Sequence, residues 1–180
     1  MNLNHIKPII VFLLGMLTVL GFAPFYFFPV PVLTFAVLLG FCYHSRTPRQ
    51  AAWWGFCFGM GLFSAGVTWI YVSLHDFGAM PVHTAVIALI VLCAYLSLFP
   101  ALSSWLLIRL RSRSLFLWAL VAAAAWMMCE WLRGTLFTGF PWLTVGYSQA
   151  PHSPLVGFAP LVGVYGISFL LVLSAALLFI

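Results

Sequence analysis

Residues 82–108 read VHTAVIALIVLCAYLSLFPALSSWLLI and contain no Asp, Glu, Lys or Arg. About 20 mostly apolar residues are enough for a helix to cross the hydrocarbon core of a bilayer, so this stretch predicts a membrane-spanning helix. Outward from it, charged residues, prolines and glycines separate further apolar segments. The six predicted spans are residues 8–21, 27–43, 51–73, 82–108, 115–132 and 155–180. Together they predict an all-α, polytopic transmembrane helical bundle as the one domain of residues 1–180.

The composition indicates that lipid, not water, surrounds this fold. Of the 180 residues, 65% are hydrophobic and only 5% are charged, whereas roughly a quarter of the residues of a soluble domain are charged. The net charge of +5 does not indicate nucleic-acid binding, because the cations are scattered at short polar breaks between apolar segments. With the N-terminus in the cytoplasm, most cations lie on the cytoplasmic side, as the positive-inside rule requires. These cations are Lys7, Arg46, Arg49, Arg109, Arg111 and Arg113.

The same orientation places residues 134–154, the longest connection in the chain, on the periplasmic side. Its aromatic residues Phe137, Phe140, Trp142 and Tyr147 alternate with the turn-forming residues Gly139, Pro141 and Gly146. Aromatic side chains at this depth are typical of any interfacial belt. Alternatively, rigid aromatic side chains at this position line a groove for acyl chains. The residues alone leave both interpretations open.

Few residues in the chain can carry chemistry. Glu130 at the end of the fifth span is a functional candidate, because intramembrane carboxylates are commonly functional. The simpler interpretation, which we favour, is a pair with Arg133 one helical turn away, with both side chains reaching the headgroups. Lys7, the only lysine, is separated from Asp76 and Glu130 by a membrane thickness, on the order of 30 Å. No Glu–Lys–Cys arrangement can therefore form within one copy of the chain.

The cysteines and histidines indicate neither a metal site nor a cofactor. The four cysteines form no C-x-x-C pair and are predicted to be small buried thiols. No histidine is spaced four residues from another histidine or from a carboxylate, the spacing of a helical metal site. The third span also carries Gly55 and Gly59 at G-x-x-x-G spacing, which indicates a close helix contact. The cysteines are Cys42, Cys57, Cys93 and Cys129.

Several motifs follow one another in a recognisable order. Residues 130–134 read EWLRG, and TGFPWL (138–143) and GYSQ (146–149) come after them. Earlier in the chain lie LGFAP (20–24) and GFCFGMGLF (55–63), and APLVGVYG (159–166) lies near its end. In this order and spacing, the motifs resemble those of the apolipoprotein N-acyltransferase family.

The resemblance implies a multi-pass enzyme of the bacterial inner membrane that acts in lipoprotein maturation. Such an enzyme moves an acyl chain from a phospholipid to the α-amino group of the S-diacylglyceryl-cysteine that begins an apolipoprotein. The implied partners are therefore a phospholipid acyl donor, an apolipoprotein acceptor and membrane lipids, with no cofactor. In this family, a periplasmic nitrilase-like domain carries a Glu–Lys–Cys set whose cysteine forms the acyl thioester.

The sequence departs from the family pattern because it stops within the sixth span, whereas the nitrilase-like domain would follow a seventh. The expectation is a truncated chain that is inactive as it stands, without a catalytic residue, and whose nitrilase-like domain is missing or separately encoded. What carries over is a set of residues that shape a lipid entrance or dock the catalytic domain. The set is Glu130, Arg133, Gly139, Phe140, Pro141, Trp142 and Tyr147.

Two other functions remain possible from the sequence. The first is a small six-helix transporter or channel, a class that usually places ionisable groups or broken helices at the bilayer midplane. In this chain the charged residues lie near the ends of the predicted spans, which argues against that class. The second is a non-catalytic membrane scaffold that keeps only lipid contacts.

Overall fold

The computed structural model of the protein describes the backbone of residues 3–180 and the side chains from Ile6 onward. Within this part of the chain there are α-helices and short turns but no β-strand, which confirms the predicted all-α class. The helices are α1 (Leu3–Thr18), α2 (Pro29–Tyr43), α3 (Pro48–Gly66), α4 (Trp69–Val72), α5 (Val82–Arg109), α6 (Leu115–Arg133) and α7 (Ala159–Phe179). A π-helical turn at Ser73–Phe77 continues α4, and 3-10 turns occur at Val19–Gly21, Leu136–Thr138, Val145–Gln149 and Pro154–Phe158.

Local sequence signals set several helix ends. The Thr47 side chain accepts a hydrogen bond from the backbone N–H of Gln50 at 3.2 Å, and Pro48 occupies the first helical position of α3. Ser114 caps α6 in the same way through the N–H of Leu117. A hydroxyl at the cap satisfies an N–H that has no partner inside the helix, and proline in the first turn removes another such N–H.

The six long helices form a closed ring in the order α1, α3, α5, α6, α7, α2 and back to α1. Aromatic side chains fill its middle: the Phe35 ring lies 5.2 Å from that of Phe58 and 4.5 Å from that of Trp126, both edge to face. Helices α3 and α5 approach closely at the predicted glycines. A Cβ on Gly55 would overlap the carbonyl of Pro100, and a Cβ on Gly59 would lie 2.9 Å from the Cα of Ser97.

The helices are long and apolar enough for a membrane protein. Helices α5 and α6 and the segment Pro154–Phe179 meet the length and apolarity of a single span. The predicted span 51–73 instead breaks after Gly66, and its continuation Trp69–Phe77 is bent by 53° relative to α3. Helices α1 and α2 are shorter, and α1 begins upstream of residue 8. Apolar side chains such as Val91, 61% exposed, cover the outside of the bundle and face lipid.

The connectivity gives the bundle two unlike ends. The loop end contains the connections at residues 19–28, 67–81 and 134–158. The cation end contains the start of α1 and the connections at residues 44–47 and 110–114, and it carries the six cations named above as one group. Asp76 and Glu130 both belong to the loop end. The structure thus separates the cations from the carboxylates by the length of the bundle, apart from Arg133.

Candidate functional site

Arg133, in the last turn of α6, holds the long connection of the loop end against the bundle. Its side chain is only 2% exposed. Nη1 donates hydrogen bonds of 2.6 Å to the carbonyl oxygens of Phe140 and Trp142, and Nη2 donates to Thr144 Oγ1 at 3.4 Å. The guanidinium also lies 5.3 Å from the ring centroid of Phe63. The planar guanidinium presents several donors in a fixed geometry, so a single side chain of α6 can bind successive groups of the loop.

Glu130 binds the same connection from one helical turn earlier. The side chain is 4% exposed, and Oε1 accepts a hydrogen bond of 2.8 Å from the backbone N–H of Val145. Oε2 has no hydrogen-bond partner among the protein groups that the structure describes. A buried carboxyl group needs polar partners, and the connection supplies one of them, the backbone N–H of Val145.

The arrangement differs from the expected pair that reaches the headgroups. Among the side chains of residues 6–180, an acidic and a basic group approach within 4.0 Å at His75 and Asp76, but not at Glu130 and Arg133. Glu130 and Arg133 instead turn inward and bind successive parts of one loop. The difference arises because the loop folds into the bundle, where it offers carbonyl and N–H groups that need partners as much as the charges do.

Residues 143–149 in the middle of the connection are largely buried among the helices. Ser148 is 0% exposed, and Gln149 is 1% exposed. The N–H of Gly146 donates to Ser168 Oγ on α7 at 2.9 Å, and Gln149 Nε2 donates to the carbonyl oxygen of Phe28 at 3.1 Å. These polar side chains, with Thr144, are site residues that the sequence reasoning missed. Their available signal was the polar pair Ser148-Gln149 within the GYSQ motif.

A sharp turn precedes these buried residues. Phe137, Thr138 and Gly139 have φ angles of 49°, 75° and 78°, a region that residues other than glycine seldom adopt. A Cβ on Gly139 would also overlap the carbonyl of Gly134, so this position requires glycine. The N–H of Phe140 then donates to the carbonyl oxygen of Arg133 at 3.0 Å. The turn leaves the Phe137 side chain 83% exposed.

An apolar groove of about 860 Å³ opens at the loop end. One wall is residues 140–143 of the connection, and Trp142 fixes it to α3 and α4. Its indole Nε1 donates to the carbonyl oxygen of Gly66 at 3.3 Å, and its ring lies 5.2 Å from that of Trp69. The other lining residues include Val19, Phe22, Ala23, Tyr26, Leu143, Tyr147, Ala150 and Pro151. We call this cavity the aromatic groove.

The seven predicted site residues separate into two sets. Phe140, Pro141, Trp142 and Tyr147 line the aromatic groove. Glu130, Arg133 and Gly139 do not line it and instead fix the shape of the loop behind it. The side chains of Trp142 and Tyr147 are half exposed and therefore open to a ligand that enters the groove.

Metal-binding groups do not gather in this part of the molecule. Among the described residues, no three His, Cys, Asp or Glu side chains lie close enough to hold an ion. The four cysteines are buried, as predicted, and each is a free thiol. The site is a groove lined largely by aromatic residues, and its loop is held by the buried side chains of Arg133 and Glu130.

Fold and site together define a polytopic α-helical membrane protein with an apolar groove at one end of its bundle. Comparison with known proteins identifies the family. The family described as "Apolipoprotein N-acyltransferase N-terminal domain" matches residues 14–177, and the chain belongs to this family.

Relatives of the chain carry the same name. It is 63% identical over 173 residues to the apolipoprotein N-acyltransferase of Nitrosomonas europaea, a match that covers 96% of the chain and 35% of that relative. The enzymes of Chromobacterium violaceum and Ralstonia nicotianae are 43% and 45% identical to it, over 92% of the chain and 32% of each relative. The chain thus spans about a third of the length of these relatives.

Proposed function

We propose that this chain forms the lipid-holding membrane part of an apolipoprotein N-acyltransferase in the bacterial inner membrane. The reaction transfers an acyl chain from a phospholipid to the α-amino group of the N-terminal S-diacylglyceryl-cysteine of an apolipoprotein. In this proposal the loop end faces the periplasm and the N-terminus lies in the cytoplasm. Family membership supports the reaction, and the excess of cations at the opposite end supports the orientation.

The observation that carries the proposal is the aromatic groove. Its volume of about 860 Å³ lies in the range of roughly 300–1,000 Å³ that is usual for small-molecule sites. One wall of the groove belongs to the TGFPWL and GYSQ motifs, while Glu130 and Arg133 of the EWLRG motif bind the loop that carries it. An apolar groove of this size, lined by aromatic side chains, suits an acyl chain.

In this proposal the helical bundle positions the lipid, and groups outside the bundle carry out the acyl transfer. Lys7 lies at the cation end, whereas Asp76 and Glu130 lie at the loop end, so a lysine and a carboxylate do not meet within one described chain. The thiols are buried within the helices. We therefore assign the acyl thioester to a nitrilase-like domain, joined to this chain or separate from it, that docks at the loop end.

The interior of the bundle gives no support to a transporter or channel. A conducting path needs polar groups or water along its axis, whereas Phe35, Phe58 and Trp126 pack against one another there. The buried charges Glu130 and Arg133 are occupied by backbone groups of the loop.

Photocrosslinking tests the groove. A phosphatidylethanolamine with a photoreactive acyl chain, incorporated in nanodiscs with the protein, should label residues 140–151. Trp142→Ala should reduce that labelling about threefold to tenfold, as expected for the loss of an aromatic contact. Phe137→Ala is the matched control, because this aromatic residue of the same loop does not line the groove. Equal labelling of the wild type, Trp142→Ala and Phe137→Ala would contradict the proposal that the groove holds the acyl chain.

Cysteine labelling tests the orientation separately. Phe137→Cys places an exposed thiol at the loop end, and the four native thiols are buried. An impermeant maleimide added to the periplasmic face should label this variant, whereas Arg113→Cys should react only from the cytoplasmic face. The opposite pattern would overturn the orientation without affecting the groove.

A further inference from the structure

The cation end has a cavity of its own, far from the aromatic groove. It has a volume of about 330 Å³ and lies between the end of α2 and the connection from α5 to α6. Two guanidinium groups and two hydroxyl groups border it. The lining residues are Tyr43, Arg111, Ser112, Arg113 and Leu115. We call it the arginine pocket.

The wall of the arginine pocket is fixed by aromatic packing. The guanidinium carbon of Arg111 lies 4.8 Å from the centroid of the Tyr43 ring, which orients this cation. The Tyr43 ring in turn packs at 5.4 Å against both Trp118, which is fully buried, and Phe179. Ser112 Oγ accepts a hydrogen bond from the N–H of Ser114 at 3.1 Å, and its hydroxyl hydrogen remains available for a further bond.

No acidic side chain faces these arginines. Asp76 and Glu130 both lie at the opposite end of the bundle, and among the described residues the cation end contains neither Asp nor Glu. All six cations of this end are exposed. Because protein groups do not compensate their charge, an anion is the ligand that complements the pocket.

The surroundings of the pocket identify a lipid as the source of that anion. Leu115, Phe116 and Leu117 begin α6 directly beside the arginines, and all three are exposed. A polar recess next to an apolar helix face suits a molecule that has a charged headgroup joined to acyl chains. Guanidinium groups bind phosphate oxygens through paired hydrogen bonds, and basic residues next to a span attract anionic lipids.

We infer that the arginine pocket binds the phosphate group of an anionic phospholipid, with Arg111 and Arg113 on the phosphate oxygens and the acyl chains along Leu115–Leu117. The Tyr43 and Ser112 hydroxyls donate to the same headgroup. This lipid is distinct from the acyl donor of the aromatic groove, since the two cavities lie at opposite ends of the bundle. It holds the α5–α6 connection against the membrane surface.

Native mass spectrometry of the full-length protein tests the site. Protein from nanodiscs of phosphatidylcholine with a minor fraction of phosphatidylglycerol should retain phosphatidylglycerol preferentially. The double variant Arg111→Gln and Arg113→Gln should lower this retention about tenfold. The matched control, Arg46→Gln with Arg49→Gln, removes two exposed cations of the same end that do not line the pocket, and it should retain the lipid as the wild type does.

Other outcomes would overturn the inference. Equal loss in both double variants would show diffuse attraction to the whole cation end, and equal retention in both would exclude the pocket. If added inorganic phosphate displaces the lipid and itself stays bound, the pocket is an anion site and not a lipid site. If the first double variant fails to fold, Arg113→Lys replaces it. This change keeps the charge but removes the paired donors, so unchanged retention would contradict the assignment.

Discussion

The two ends of this bundle use the same kind of side chain in opposite ways. At the loop end, Arg133 is buried and its donors bind loop carbonyl oxygens. At the cation end, all six cations are exposed, and Arg111 lies over an aromatic ring at the surface. The difference shows that surroundings, not residue type, decide whether an arginine shapes the fold or meets a ligand.

Removal of the buried guanidinium should have the largest effect. Arg133→Ala deletes the hydrogen bonds to Phe140 and Trp142 and leaves Glu130 buried without its nearest countercharge. A hydrogen bond from a charged donor contributes about 1.5–3 kcal/mol, so the loss of both bonds should cost about 3–5 kcal/mol. Unfolding in mixed micelles measures this free energy. In the same variant, the photoreactive acyl chain should no longer label residues 140–151. A loss below about 1 kcal/mol would mean that the loop holds its place without Arg133.

The sharp turn of the loop should come next. Gly139→Ala must place a Cβ against the carbonyl of Gly134 at a φ angle of 78°. Such strain costs about 1–3 kcal/mol, again measured as the free energy of unfolding. Gly157→Ala is the control within the same connection, because a Cβ there meets no atom within 4 Å. If both variants lose equal stability, the turn geometry is not what matters.

A smaller change is expected from neutralising the buried carboxylate. In Glu130→Gln the amide oxygen can still accept from the N–H of Val145, so the loss should be about 1 kcal/mol. Glu130→Ala leaves that N–H unpaired and should cost more, up to about 3 kcal/mol. The two unfolding free energies, compared side by side, separate the hydrogen bond from the charge. The reverse order would indicate that the charge itself holds the loop.

The cation end should be nearly insensitive to the loss of a single charge. Arg46 is exposed, and its side chain lines neither the arginine pocket nor the aromatic groove. Arg46→Ala should therefore change the unfolding free energy by less than about 0.5 kcal/mol. An effect as large as that of Arg133→Ala would remove the distinction between the two ends.

Some of the site was visible in the sequence, and some depended on distant contacts. The motif residues Phe140, Pro141, Trp142 and Tyr147 were expected to shape a lipid entrance or to dock the catalytic domain, and the structure places them around one groove. The expected pair of Glu130 with Arg133 did not include the loop groups that these two side chains bind. Val145 comes next to Glu130, and Phe140 next to Arg133, only because the loop turns inward. No local pattern announces that Gln149 will reach the carbonyl of Phe28, 121 residues away in the chain.

The sequence alone determined the class of the fold, since long apolar runs cannot stay in water and helices satisfy their own backbone groups in lipid. It also set where α3 and α6 begin, through the hydroxyl caps Thr47 and Ser114, which act within a few residues. Only the tertiary structure decided that the loop after α6 enters the bundle and that a groove forms beside it. That outcome depends on hydrogen bonds that join the loop to Arg133 and Glu130 of α6 and to Ser168 of α7, and these partners lie 7 to 22 residues apart in the chain.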